Sequence, residues 1–180
     1  MEKLELRMYG LVNYQLTGIQ QGIQFLHAVV EYGQGVKWSL GTIKLDQYNE
    51  WADQHKTVIL LNGGTTNTNG ERLGTMNQHH QLLNEKGIYH SLFNEPDLGD
   101  QLTAIAFIVD ERVFNKEKYP DFDFTNKTQI TPGYGVWSED ALNPQFLNEN
   151  EKMRWDSWVQ SIGGETNLWL RFWLKNFRLA

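Results

Sequence analysis

Leu6-Arg7-Met8-Tyr9-Gly10-Leu11-Val12-Asn13-Tyr14, joined through Gln15-Leu16 to Thr17-Gly18-Ile19-Gln20-Gln21-Gly22-Ile23-Gln24-Phe25-Leu26-His27-Ala28-Val29-Val30-Glu31-Tyr32-Gly33, decides the fold. The first part is apolar and aromatic and ends in a turn, which predicts a strand. A helix start follows immediately. Thr17 with Gln20 three residues on forms a capping box, and Gly33 stands where a helix stop is expected. At a 3.6-residue period Ile19, Ile23, Leu26 and Val30 share one face, so this stripe is expected to turn toward a core. Gln20, Gln24, His27 and Glu31 have the same spacing a quarter-turn away and make a polar stripe beside it.

Working outward, Asp46 to Gln54 reads as a second helix capped by Asp46, with Tyr48 and Trp51 as its apolar contacts. Thr57 to Leu61 is an apolar run of strand length, consistent with an interior strand. Asn62 to Gly70 is dense in turn formers and reads as a loop. Thr75 to Glu85 is a third helix stopping at Gly87, Ile88 to Phe93 a strand, Glu95 to Asp100 a turn, and Leu102 to Val109 a buried strand. The expected fold is therefore α/β, in the order β-α-α-β-α-β-β, as a mixed four-stranded sheet with helices on both faces. Residues 1–110 form this α/β domain. Residues 111–180 form an irregular linker, broken by Pro120, Pro132 and Pro144, and then a Trp-rich helical hairpin packed on it. Asn148 and Glu151 start its first helix, and Trp155, Trp158, Val159 and Ile162 line one face.

The chain has 180 residues, 40% of them hydrophobic and 21% charged, which suits a globular protein with a real core. With no Cys there is no disulfide framework, thiolate zinc site, iron–sulfur cluster or cysteine nucleophile. No apolar run approaches the ~20 residues of a membrane span, and the N-terminal residues do not resemble a signal peptide, so a cytoplasmic protein is expected. Its 16 Lys+Arg against 22 Asp+Glu give a net charge of −6, which disfavours bulk nucleic-acid binding.

Four features carry chemistry or a plainer alternative. The polar stripe could line a pocket with His27 as acid or base, or it could be a solvated helix edge. The loop from Asn62, Gly63 and Gly64 onward lies between strand and helix, where α/β folds place ligands. Its amides could hold a phosphate or oxyanion, or it could be a surface turn. It is neither a P-loop nor a dinucleotide fingerprint. Glu95, Asp97 and Asp100 could bind a cation or supply a base, or simply form a polar turn shaped by Pro96. The hairpin holds four of the seven Trp and reads as a packed core or cap, with self-association as the alternative. His79 and His80 are adjacent and point in different directions, so no metal site is expected, and no cofactor.

The string Gln24-Phe25-Leu26-His27-Ala28 and the turn Asp97-Leu98-Gly99, followed by Gln101 and Thr103, resemble signatures of the type II (archaeal and eukaryotic) peptidyl-tRNA hydrolase family, whose element order is also matched over residues 1–110. The resemblance implies a cleft in which Gln24, His27 and Asp97 are catalytic and Gln20, Asn62, Gly63, Gly64 and Thr103 bind substrate, an ester of a nucleotide or RNA 3′ end. Two positions depart from the family pattern. Its first-helix Lys is missing, and neutral Gln20 cannot stabilise developing negative charge as an ammonium does. Asp100 stands where a hydroxyl is expected. Residues 1–110 hold seven Lys+Arg and twelve Asp+Glu, a net −5, where an RNA would have to dock. The whole chain is also similar to proteins of large tailed bacteriophages, which would make the setting a host cytoplasm. Two functions follow as expectations: a peptidyl-tRNA hydrolase-like esterase, or a non-catalytic protein that captures a nucleotide-like small molecule or a host protein, for counter-defence or host takeover. A homodimer is a further expectation.

Overall fold

The computed structural model describes residues 3–39, 41–66, 74–123 and 149–180. Four strands, β1 (Leu6–Asn13), β2 (Val58–Gly64), β3 (Ser91–Glu95) and β4 (Gln101–Asp110), form one mixed sheet in the order β2-β1-β4-β3. β1 runs parallel to β2 and antiparallel to β4, and β3 is antiparallel to β4. The two interior strands, β1 and β4, are nearly all buried. β2 ends the order of four, yet its outer side is not open. Asn62 N donates to Arg178 O at 2.9 Å and Ala180 N to Leu60 O at 3.1 Å, around a bridge between Leu61 and Leu179. This pairing accounts for the unbroken apolar sequence of an outer strand.

Helices cover both faces, and the mixed α/β fold expected from the sequence is the one observed. On one face Met8, Val12, Ala104 and Ala106 pack with Phe25, Ala28, Tyr32 and Val36 of α1 (Gly18–Ser39). On the other, α3 (Thr75–Glu85) brings Met76 against Gly63 and Leu11, so close that a side chain at Gly63 would collide with the Met76 sulfur.

Three expectations need correction. First, the stripe Ile19, Ile23, Leu26 and Val30 does not face the core. These residues are 80%, 48%, 61% and 51% exposed, while Phe25, Ala28, Tyr32 and Val36 are buried. The sheet beneath α1 presents Gly10, Ala104 and Ala106, and the room they leave suits aromatic rings: the Phe25 ring occupies the space a Gly10 side chain would need. Second, α1 does not stop at Gly33. It continues to Ser39, because Gly33 is a packing residue: a Cβ there would lie 2.6 Å from the Tyr48 hydroxyl. Third, Asp46 lies inside α2 (Gly41–Glu50) and does not cap it. A π-helical turn, Trp51–His55, follows and ends at Lys56 with φ 55°. Trp51 is buried there, donating from Nε1 to Thr57 O at 2.9 Å.

The chain divides into two compact units, Met1–Glu111 with Asn176–Ala180, and Arg112–Lys175. In the second, α4 (Glu149–Ser161) and α5 (Glu165–Trp173) form a helical hairpin. Trp155, Val159, Ile162 and Leu168 make its core, with Tyr119, Phe122, Trp158 and Phe172 against them. Arg171 is buried with its guanidinium donating to Tyr119 O at 2.7 Å and to Asp121 Oδ1 at 2.8 Å, and also to Arg112 O. Burial works to raise the Asp121 carboxyl, but hydrogen bonds from Lys116 and Arg171 hold it well below the usual range. Pro132, Pro144, Asn148 and the end of the Asn62–Gly70 loop lie outside the described residues. No described helix is long and apolar enough to cross a membrane.

Candidate functional site

Polar side chains gather at one end of the sheet, beyond the carboxyl ends of the parallel pair β1 and β2, where open α/β sheets place ligands. Asn13 closes β1 with its side chain buried. It accepts from Gln15 N at 2.9 Å and donates to Thr66 Oγ1 at 3.2 Å. Thr66 in turn lies 3.4 Å from Gln101 Oε1, at the start of β4. Gln101 pairs in register with Glu95, the last residue of β3.

Glu95 anchors the second half of the cluster. Gln24, on the core edge of α1, donates from Nε2 to Glu95 Oε2 at 2.5 Å. Its other end, Oε1, accepts from the Thr103 hydroxyl at 2.5 Å, and that hydroxyl also lies 3.1 Å from Phe93 O. Gln24 and Thr103 are both buried. Their bonds therefore satisfy groups that would be expensive to leave unpaired, and they fix the amide in one orientation. The remaining Glu95 oxygen, Oε1, accepts from Asp97 N at 3.3 Å, in the one-turn 3₁₀ helix Pro96–Leu98.

One turn beyond Gln24 along α1, the His27 ring lies on Phe93, with centroids 4.4 Å apart and planes 15° from parallel. His27 is exposed, and no hydrogen bond or ion pair joins it to a carboxylate among the described residues. Phe93 and Glu95 are alternate residues of one strand and meet His27 and Gln24, three apart on one helix. That match of the strand and helix repeats builds the pair of contacts.

The sequence-predicted residues thus separate. Gln24 and Thr103 come together, and His27 stands beside them on Phe93. Asp97 is exposed, and its link to the cluster is its backbone amide. Gln20 is engaged in the capping box: Thr17 N donates to Gln20 Oε1 at 3.0 Å and Gln20 N to Thr17 Oγ1 at 3.4 Å. Asn62, Gly63 and Gly64 are part of β2 itself. The amide of Asn62 is taken by Arg178 O and that of Gly64 by Asn62 Oδ1 at 2.9 Å, so neither points an open N–H at a ligand. The carboxylate at the centre is Glu95, with Phe93 beside it. The sequence signal for Glu95 was present, one of three acids in the turn, but only strand register distinguishes it from Asp97 and Asp100.

Two of the other histidines, His80 and His90, meet in a separate region, at the opposite end of β3. His80 Nδ1 lies 2.8 Å from His90 Nε2, and His90 Nδ1 lies 2.7 Å from Ile88 O. Burial pushes the His79 imidazole down to about 4 and also lowers His80 and His90. No group of three or more His, Asp or Glu among the described residues is arranged to hold a metal ion.

Comparison with family models, with curated proteins and with solved structures finds no match to this chain.

Proposed function

We propose that the polar end of the sheet captures a planar, nucleotide-like small molecule and releases it unchanged. The observation that carries this reading is the His27–Phe93 stack beside the fixed Gln24–Glu95 pair. One face of the imidazole rests on Phe93, and the exposed ring is placed to receive a base on its other face. Glu95, only partly buried beside the stack, then presents a carboxylate acceptor to the base edge. Acid–base catalysis draws less support. No described carboxylate orients His27, and between Arg7 and Lys37 the sequence holds no Lys or Arg to meet a phosphate or an oxyanion.

Hydrolysis of an ester at a nucleotide or RNA 3′ end, in the manner of the type II peptidyl-tRNA hydrolases, is the second reading. It is favoured by Gln24 and His27 both meeting β3 from one helix edge, in the order of the family's Gln-x-x-His string. One experiment separates the two. The protein is titrated with a panel of nucleosides, nucleotides and dinucleotides and with peptidyl-tRNA, and each bound compound is recovered and analysed. Saturable binding with the ligand intact supports capture; turnover of peptidyl-tRNA supports the hydrolase. Binding of no compound in the panel removes the capture reading.

A further inference from the structure

The exposed stripe of α1 is the largest feature that the site does not use. Ile19, Ile23, Leu26 and Val30 recur at steps of four, three and four, the spacing of a helix–helix seam, and each keeps about half or more of its surface in water. Contiguous apolar surface of this kind marks an interaction site when it occurs on a folded protein. On one side it is bordered by Gln20, His27 and Glu31. On the other it is bordered by Gly18 and Gly22, where a side chain would meet nothing within 4 Å, so a partner backbone can approach closely.

We infer that this face pairs two copies of the chain, α1 against α1, antiparallel about a two-fold axis between Ile23 and Leu26. Charge selects both the occupant and the direction. From Met8 to Val36 the only charged side chain is Glu31, so the seam offers nothing to a strongly acidic or basic partner and does not repel its own copy, although the chain as a whole carries −6. In the antiparallel arrangement Ile19 meets the partner's Val30 and Ile23 meets the partner's Leu26. Glu31 then lies near the amino end of the opposite helix, whose first turn holds no acidic residue and whose dipole favours a carboxylate. A parallel pair would instead set Glu31 against Glu31 and align the two dipoles. The same surface meets itself, so the contact closes as a dimer.

The test is the mass of the full chain by sedimentation or light scattering, up to about 100 μM, a hundredfold above a micromolar dissociation constant. The expected wild-type mass is twice 21.0 kDa. Leu26→Glu, at an exposed position where folding is unaffected by helical circular dichroism, is expected to give 21.0 kDa. Adding Ile23→Lys to Leu26→Glu sets Lys against Glu across an antiparallel seam and is expected to restore the dimer. It leaves like charges facing across a parallel one. A monomeric wild type, a dimer that survives Leu26→Glu, or a double variant that stays monomeric overturns the proposal.

Discussion

The Gln24 side-chain amide joins Glu95 at the end of β3 to Thr103 in β4, with 2.5 Å contacts at both of its ends. One side chain from α1 thereby ties together the two strands that carry the polar end of the sheet. Gln24→Leu removes a hydrogen bond to a charged group and is expected to destabilise the fold by about 1.5–3 kcal/mol. Thr103 keeps Phe93 O as an acceptor, which limits the damage. Glu95→Gln keeps an acceptor for Gln24 and exchanges only the charge, so its effect should be about 1 kcal/mol or less. Urea denaturation of the two variants checks the order; a Glu95→Gln loss as large as that of Gln24→Leu would contradict it.

His27 supplies stacking and no structural hydrogen bond to a described group. His27→Ala is therefore expected to leave stability within about 0.5 kcal/mol of wild type. It should weaken nucleotide binding at least tenfold, in line with roughly 1–3 kcal/mol for one base on one ring. His27→Phe keeps the stack and should retain most of the affinity. Calorimetric titration of both variants decides whether ring or ionisable group matters, since a catalytic base would be lost equally in each.

Glycines in α1 divide by what surrounds them. Gly22 has open space about its Cβ position, so Gly22→Ala should stabilise the helix by about 0.5–1 kcal/mol. Gly33→Ala should destabilise by about 1–3 kcal/mol, because the methyl group meets the Tyr48 hydroxyl and the Tyr48 ring is packed between Tyr32 and Trp51. Opposite shifts of the urea midpoint are the expected result.

These two glycines also show what the sequence could convey. The Thr17–Gln20 capping box is local chemistry, and both its backbone bonds form as the spacing predicts. Gly33 looks like a stop by the same local rules. Its role depends on Tyr48, fifteen positions away in sequence, and on Tyr32 beneath it. The α1 helix carries two apolar stripes, and periodicity alone cannot tell which one meets the sheet. That choice is made by Gly10, Ala104 and Ala106, whose small size admits Phe25 and Tyr32. In the site, Gln24 and His27 were legible as members of one helix stripe, and Thr103 as a hydroxyl near the turn. Glu95 was not separable from Asp97, because strand register and a tertiary contact decide which acid faces α1. Asn62 and Gly64 read as loop amides because the C-terminal tail that pairs with β2 lies more than a hundred residues away.

Acid should destabilise the first unit through its partly buried histidines. The His79 imidazole ionises at about 4 in the folded protein, against about 6.5 when unfolded, because burial disfavours the cation. Below pH 6.5 the unfolded chain binds the extra proton first. The contribution is thus fully present above about pH 6.5 and is lost as pH falls toward 4, by roughly 3 kcal/mol. His80 and His90 shift in the same direction. Urea midpoints measured from pH 7.5 to 4.5 should fall, and His79→Gln should flatten that slope.

The capture site is tested most directly by the proton magnetic resonance of the five histidines during nucleotide titration, with the His27 signals assigned from His27→Ala. A base stacked on the ring predicts an upfield, saturable shift of the His27 ring protons, with His55, His79, His80 and His90 unmoved and the nucleotide unchanged at the end. Binding that leaves the His27 signals in place, or shifts only the other histidines, would contradict the account.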